Sequence, residues 1–328
     1  MSDPPISDRP VSDLPMGRLS YGAANVGNLY RALSDDQARS LLETAWECGV
    51  RYFDTAPHYG LGLSERRLGE FLATKPRDEF TISTKVGRLL RPDPGGAGRF
   101  DDENDFAVPA DHRRVWDFSA DGVRRSLDES LERLGMDAVD VLYLHDPEEY
   151  DLEPALADGA PALAALRDEG VVAAIGLGSK STEALLAGVR TQMLDLLMVA
   201  GRFTLLEQPV LDQVIPECRE RSVGVVNAAV FNTGLLASAV PAADARYEYG
   251  PAPADVLERA RAIAAVCADV GVELPAAALQ YSLRDPVVRT VVVGGATPGQ
   301  IRENAERMLA PVPDELWTRL REGGLVRG

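Results

Sequence analysis

The chain is poor in the residues that build disulfide frameworks and metal centres. Its 328 residues hold 3 cysteines and 3 histidines. Cys48, Cys218 and Cys267 are too few and too scattered for a disulfide framework, and none stands in the paired spacing of a structural zinc site. His58, His112 and His145 are too few for a metal-dependent hydrolase, which wants several His and carboxylate ligands together, so no metal is expected. Positive charge is short as well: 34 Lys and Arg against 51 Asp and Glu leave a net charge of −17. Such a chain repels polyanions, so neither nucleic acid nor a membrane surface is an expected partner. No apolar run reaches the ~18 residues of a transmembrane helix. Residues 1–15 are polar and proline-rich without the apolar stretch of a secretory signal, and read as a flexible segment. The cytoplasm is the default location.

What is present is a strand-then-helix alternation. Strands are expected at 18–21, 50–54, 80–86, 139–144, 171–177, 194–199, 223–229 and 287–293. Helices are expected at 34–49, 64–73, 121–134, 160–169, 182–190, 210–221, 255–270, 275–283 and 298–308. Ser34 is a candidate N-cap and Gly49 and Gly135 candidate stops. Several strands are almost continuously apolar, as strands buried on both faces of a parallel sheet are. Eight β-α units in this length point to an α/β fold of the (β/α)8 TIM-barrel type, one catalytic domain over 16–328. The competing open doubly wound sheet would want a glycine fingerprint after the first strand, and GAANVG at 22–27 lacks it. The stretch 87–118 holds Pro92, Pro94, Gly95, Gly96, Gly98 and the acidic run 101–105. It reads as a long loop without structure of its own, lying over the active-site face and covering substrate.

Three ionisable residues end three successive strands: Asp54, Lys85 and His145. Parallel barrel strands bring their C-terminal ends to one mouth, so these side chains converge. Tyr59, five residues after Asp54, can fold back over the same mouth. A phenol titrates near ~10, and a neighbouring ammonium lowers that value. Asp54 would keep the lysine charged, and a histidine beside them would polarise a substrate oxygen. The group suits general acid/base work at a carbonyl or hydroxyl carbon, next to a dissociable hydride carrier. Each residue alone has an ordinary alternative as a cap, a solvated cation or a core histidine, and it is the convergence that argues for function.

The segment FDTAPHYG at 53–60, followed by Gly62, Ser64 and Glu65, closely resembles the signature of the aldo-keto reductase family. The resemblance spans about residues 15–310. It implies a (β/α)8 barrel and an NAD(P)-dependent oxidoreductase. It also implies Tyr59 as acid/base, Lys85 lowering its pKa, Asp54 paired with Lys85, and His145 orienting the substrate oxygen. Within the family the chain is most similar to the D-threo-aldose 1-dehydrogenase and L-fucose dehydrogenase group, through KVGRLLR at 85–91, DFS at 117–119, GVRRS at 122–126, LHD at 144–146, AGRFTLLEQ at 200–208 and FNTGLL at 231–236. That implies oxidation of an aldose such as L-fucose or D-arabinose at C1 to the lactone. Similarity to pyridoxal 4-dehydrogenase keeps open that activity or a general aldehyde or carbonyl reductase. In either case the small-molecule substrate is a sugar or an aldehyde. Trp116, suited to stacking on a flat ring, and His58 are candidate pocket residues. An NAD(P)-binding redox sensor or regulatory subunit is the reading of another class.

The turn GGATPGQ at 294–300 supplies close backbone approach, a Thr297 cap, Pro298 at the first helical position and a helix N-terminus for a phosphate. The resemblance implies that Gly294, Gly295, Ala296, Thr297, Gln300, Glu303 and Asn304 hold the adenosine end of the cofactor. Family members that prefer a 2′-phosphate place Lys and Arg where this chain has Gly294 and Gln300. Arg302, the one cation nearby in sequence, faces away by helical spacing. NAD is therefore expected, with NADP as the alternative. At the nicotinamide end the family's Ser-Asn pair is replaced by Gly178-Ser179. Ser179 is the candidate contact and Gln208 a weaker one. Asn232 and Leu235 are expected beside the pyrophosphate. The position of the family's stacking aromatic falls at Ala228 or Ala229, with Phe231 nearby.

Overall fold

The computed structural model describes residues 11–248 and 250–327. Its centre is a closed barrel of eight parallel strands: β1 (Leu19–Gly22), β2 (Tyr52–Asp54), β3 (Thr81–Val86), β4 (Val141–His145), β5 (Ala174–Ser179), β6 (Leu196–Ala200), β7 (Gly224–Ala228) and β8 (Val288–Val293). Each strand pairs with its sequence neighbours, and β1 pairs with β8 to complete the ring. β3, β4 and β5 are buried at every position, as strands covered on both faces of a parallel barrel are. The fold is the expected (β/α)8 barrel.

The outer layer is α1 (Asp35–Glu47), α2 (Leu63–Leu72), α3 (Ala120–Leu134), α4 (Leu152–Asp168), α5 (Thr182–Arg190), α6 (Val214–Arg221), α7 (Ala254–Asp269), α8 (Leu274–Gln280), α9 (Pro298–Leu309) and α10 (Asp314–Glu322). Ser34 opens α1 with a capping box. Its Oγ accepts from Gln37 N at 3.2 Å, while Gln37 Oε1 accepts from Ser34 N at 2.9 Å. Gly135 closes α3 in the left-handed region at φ 63°.

Two helices differ most from expectation. α4 begins eight residues before 160, with Pro161 inside it. α10, whose Leu316, Trp317 and Leu320 are buried against the core, was not anticipated. Among the described residues no single helix is long and apolar enough to cross a membrane. α7 and α8 reach that composition only as a pair bent by 101°.

The stretch 87–118 also differs. It is two antiparallel ribbons, Arg88–Pro92 against His112–Trp116 and Phe100–Asp101 against Phe106–Pro109. Its prolines, glycines and charges hid the strands, since charged strand residues carry no apolar alternation. The ribbons bury Leu90, Phe106 and Val108 with Leu61, and Tyr59 packs on this cluster. The acidic run is pinned: Asp101 is buried and paired with Arg114 at 2.6 Å. Tyr30 N donates to Asp105 O at 2.7 Å, tying the ribbon to the loop after β1.

Residues 1–10 of the segment expected to be flexible lie outside the described residues. Residues 11–13 form a short 3-10 turn. Leu14 and Met16 are buried with Tyr52, Val141 and Tyr143 inside the barrel, so the polar reading of 1–15 missed the plug at its end.

Candidate active site

The register of the first strands brings the acid/base group together. Asp54 is level with Ser83 on β3, Lys85 with Tyr143 on β4, and His145 with Gly178 on β5. The turn carrying Tyr59 is set by two glycines. Gly60, at φ 63°, lies with its Cα against the carbonyl of Gly27, where a Cβ would collide. The outer residues of the 53–65 motif fasten the same turn. Ser64 Oγ donates to Ala23 O at 2.8 Å, and fully buried Glu65 accepts from Thr84 Oγ1 at 2.7 Å and Arg133 Nε at 2.6 Å.

Lys85, 2% exposed, has three donors and uses all of them. Nζ donates to Asp54 Oδ2 at 2.6 Å, to Thr55 O at 2.9 Å and to Tyr59 Oη at 3.1 Å. Asp54 Oδ1 accepts from Ser83 Oγ at 2.7 Å, and Ser83 in turn accepts from Tyr52 Oη at 2.9 Å. Burial pulls the Lys85 ammonium down, but Asp54 and the Tyr59 phenol outweigh it and its pKa is raised. The Tyr59 phenol is raised too. Burial is the largest cause and Lys85 opposes it without overcoming it. Lys85 lowers the phenol as expected, but burial outweighs it, and the desolvated corner holds Tyr59 as a neutral acid.

His145 stands edge-on to Tyr59, ring centres 5.9 Å apart at 90°. Burial holds its pKa well below the ordinary range, with Arg88, Lys85, His58 and Arg114 adding to the effect. His145 is therefore a neutral hydrogen-bonding group at neutral pH. His58 is held down by burial, Arg88, Arg114 and Lys85, and its ring lies 5.6 Å from that of His145.

Arg88 was missed as a site residue. It follows Lys85 by three positions, and a buried cation beside strand-end acids is the signal that would have found it. Its guanidinium reaches Asp146 at 2.5 Å and Glu149 at 3.3 Å, and lies 4.4 Å over the Trp116 ring. Trp116 stacks on Phe118 at 5.8 Å. Asp146, at φ 44°, has its carboxyl pushed up to about 6, chiefly by burial with Arg88 pulling the other way.

The turn after β8 is assembled as a cradle. A Cβ on Gly294 would collide with Asn25 Oδ1, and one on Gly295 would lie 2.6 Å from Ile301. Thr297 caps α9 by accepting from Gln300 N at 3.2 Å, and Gln300 Oε1 accepts from Ala296 N at 2.8 Å. Asn304 is buried beside Gly294, Leu19 and Tyr21, while Glu303 pairs with Arg307 at 3.1 Å. Arg302 neighbours Cys48, Glu47 and Glu306 on the α1 side. A cation not anticipated, Arg31, crosses from the loop after β1 to bond the carbonyl of Ala296.

Around β5 to β7 the outcome is mixed. Ser179 ends β5 and its Oγ donates to Glu148. Gln208 lies eight residues past the end of β6. Its amide is committed to Thr204 O at 2.7 Å and Arg327 N at 3.3 Å, so the structure does not bring it to this group. After β7 the backbone takes the left-handed region at Ala229, Asn232 and Thr233, a concentration of strain typical of ligand-holding turns. Asn232 Oδ1 is buried without a partner. Leu235 packs in the core, and Phe231 packs beside Leu279 and Met308.

These features fit a nicotinamide dinucleotide. A side-chain-free Gly178 stands 3.9 Å from Lys85 Cε at the position of an added Cβ, which leaves the floor beside the acid/base group flat. Glu148 Oε2 and Asn232 Oδ1 are buried acceptors without donors, and the strained turn and the glycine cradle complete the track.

Comparison with known proteins places this geometry. The sequence profile of the aldo/keto reductase family matches residues 18–323. A D-threo-aldose 1-dehydrogenase from a Pseudomonas species is 57% identical over 93% of both chains. A pyridoxal 4-dehydrogenase from Microbacterium luteolum is 36% identical, again over 93% of both. A solved aldo-keto reductase from Bacillus halodurans, in its holo form, superposes with a TM-score of 0.74 at 22% identity, covering 94% of this chain and 92% of the other.

Proposed function

This chain belongs to the aldo/keto reductase family, and we propose that it is an NAD-dependent sugar dehydrogenase that oxidises an aldose, such as L-fucose or D-arabinose, at C1 to the lactone. The observation that carries this reading is the use of all three Lys85 donors on Asp54, Thr55 O and Tyr59, which leaves the phenol as the one mobile acid of the group. When bound, the oxidised nicotinamide supplies the acceptor for the hydride from C1. The chain's own work is the proton. Tyr59 Oη, as a phenolate held by the Lys85 ammonium, takes the C1 hydroxyl proton and becomes the neutral phenol, and Asp54 holds Lys85 charged. Neutral His145 hydrogen-bonds the same substrate oxygen and fixes its distance from Tyr59. In the reverse direction the neutral phenol returns the proton to a carbonyl oxygen.

A hydroxyl-rich substrate suits the wall beside this group. Arg88, Asp146, Glu149 and His58 present charge-assisted donors and acceptors, the chemistry that binds vicinal hydroxyls. The Trp116 ring already carries Phe118 and Arg88, which favours a sugar over the flat ring of pyridoxal. The ribbons of 87–118 would cover substrate, and 16–328 would act as one catalytic domain. We assign the cofactor track to Ser179, Asn232, the 294–297 turn, Gln300 and Asn304. Gln300 folded onto Ala296 and Arg302 turned toward α1 favour NAD over NADP.

The test is an initial-rate assay at mildly alkaline pH, with NAD⁺ and NADP⁺ against L-fucose, D-arabinose, L-galactose, D-glucose and pyridoxal. Turnover of a sugar with NAD⁺, abolished in Tyr59→Phe, is the expected result. Turnover of pyridoxal alone overturns the substrate, and faster rates with NADP⁺ overturn the cofactor.

A further inference from the structure

The ends of β4 and β5 lie side by side, with His145 level with Gly178. Past His145 the chain turns through the short helix Pro147–Glu149, and past Gly178 comes Ser179. These two ends are joined by one side-chain bond: Ser179 Oγ donates to Glu148 Oε1. The same Oγ accepts from Ser181 N at 2.7 Å, so Ser179 is held by its own loop and in turn holds the carboxylate. Glu148 Oε2 is left shielded from solvent with no partner. A buried carboxylate oxygen without a donor is costly, and the cost is removed by a ligand N–H. A Cβ on Gly178, the residue before Ser179, would meet Met198 Cβ at 3.5 Å and Lys85 Cε at 3.9 Å, so its bare Cα faces the acid/base group. The bare acceptor therefore stands at the rim of the floor assigned to the nicotinamide.

Neither residue the sequence offers for that rim brings a side-chain amide to it. The position where the family pattern would supply Asn carries Ser179, which has no side-chain carbonyl and whose hydroxyl proton is given to Glu148. The Gln208 amide is committed to Thr204 and Arg327. A primary carboxamide brings two N–H donors that need an acceptor. We propose that Glu148, oriented by Ser179, is that acceptor, and that this carboxylate grips the nicotinamide carboxamide in place of a side-chain amide. The proposal rests on the dehydrogenase reading above. It carries a consequence a neutral amide would not: an anion at the edge of the ring attracts the cationic oxidised cofactor more than the neutral reduced one. The site is thereby biased toward NAD⁺, the form an oxidising enzyme must capture.

The test is equilibrium binding, by tryptophan-fluorescence titration, of NAD⁺, NADH and the 3-acetylpyridine analogue of NAD⁺, in which a methyl replaces the amide NH₂. Wild-type protein is expected to bind NAD⁺ more tightly than the analogue. Glu148→Ala is expected to weaken NAD⁺ about tenfold and NADH and the analogue each by less, because NADH loses only the hydrogen bond and the analogue, still a cation, loses only the charge attraction. Glu148→Gln keeps an acceptor but not the charge, so it retains discrimination against the analogue while losing the preference for NAD⁺ over NADH. Ser179→Ala frees the carboxylate and moves the same ratios in the same direction by less. Thermal unfolding of each variant checks that it is folded. Equal weakening of all three ligands in Glu148→Ala, or no change in any, overturns the proposal and leaves the dehydrogenase reading standing. Wild-type protein that binds none of the three overturns both.

Discussion

The two sides of the barrel mouth are finished to different degrees. On the β2–β3 side every donor of Lys85 is engaged, Asp54 accepts from two directions, and Glu65 ties the neighbouring strand to α3. Toward β4, β5 and β7, His145 Nδ1, Glu148 Oε2 and Asn232 Oδ1 are buried with no partner. The first side is preorganised by the chain alone, so that the proton-handling group costs little to align when substrate arrives. The second presents unmet acceptors and strained turns, which a ligand completes. Chemistry is built in, and binding is left open.

The strongest way to break the finished side is Lys85→Met. It removes the cation beside Tyr59 and leaves Asp54, 3% exposed, without its ion pair. The oxidation rate should fall by about 10²–10⁴, the usual contribution of a positioned acid/base group. Stability should fall by roughly 3–5 kcal/mol, because a buried carboxylate is left uncompensated. The unfinished side should hardly notice: dinucleotide affinity by fluorescence titration should stay within a few-fold. A variant that keeps its rate within tenfold, or loses cofactor binding as severely as turnover, would erase the division between the two sides.

A pH profile probes the same boundary more gently. The Tyr59 phenol is raised, with burial the largest cause and Lys85 opposing it. Sugar oxidation needs the phenolate, so its kcat should climb about tenfold per pH unit from neutrality into the alkaline range of a phenol, ~10 or above. Carbonyl reduction needs the phenol and should stay level over that span, falling only as the phenol ionises. His145 and His58 are both held well below the ordinary imidazole range, burial first in each case. Neither should therefore add an inflection near the ordinary imidazole value of ~6.5. Such an inflection in kcat, absent from the His145→Gln variant, would show that His145 is solvated when substrate is bound.

The contrast also explains what the sequence made legible. The barrel, its eight strands and the Asp54, Tyr59, Lys85 and His145 group were readable because each rests on a local pattern. Apolar runs mark the buried strands, and an ionisable residue at the end of a run marks the mouth. The ribbons of 87–118 were not readable, because His112, Arg113 and Arg114 form a strand with no apolar alternation and are stabilised by partners far along the chain, Asp101 and His58 O among them. Pro161 hid the first half of α4. The Glu148–Ser179 pair joins two elements 31 residues apart, and no spacing rule points from one to the other. Gln208, the weaker candidate for the nicotinamide end, is drawn away because its amide closes onto Thr204 O and the C-terminal segment at Arg327 N.

The smallest effect is expected at the adenosine end, where the sequence-based argument for NAD counted cations near the turn. Arg302 lies near Cys48 at the end of α1. Arg31, from a loop more than 260 residues earlier, bonds the Ala296 carbonyl and brings a charge to the turn that counting had missed. That bond is to a neutral oxygen, so the guanidinium retains its charge for a phosphate. It is also exposed, which limits its worth to roughly 1 kcal/mol or less. Arg31→Ala should therefore weaken NADP⁺ by about two- to fivefold and NAD⁺ by under twofold, widening the preference for NAD⁺ when both dissociation constants are measured at low salt. Equal weakening would make Arg31 a splint for the 294–297 backbone, joining Gln300 and Thr297 in holding that turn. The adenosine end would then belong with the finished side of the mouth, shaped by the chain before any ligand arrives.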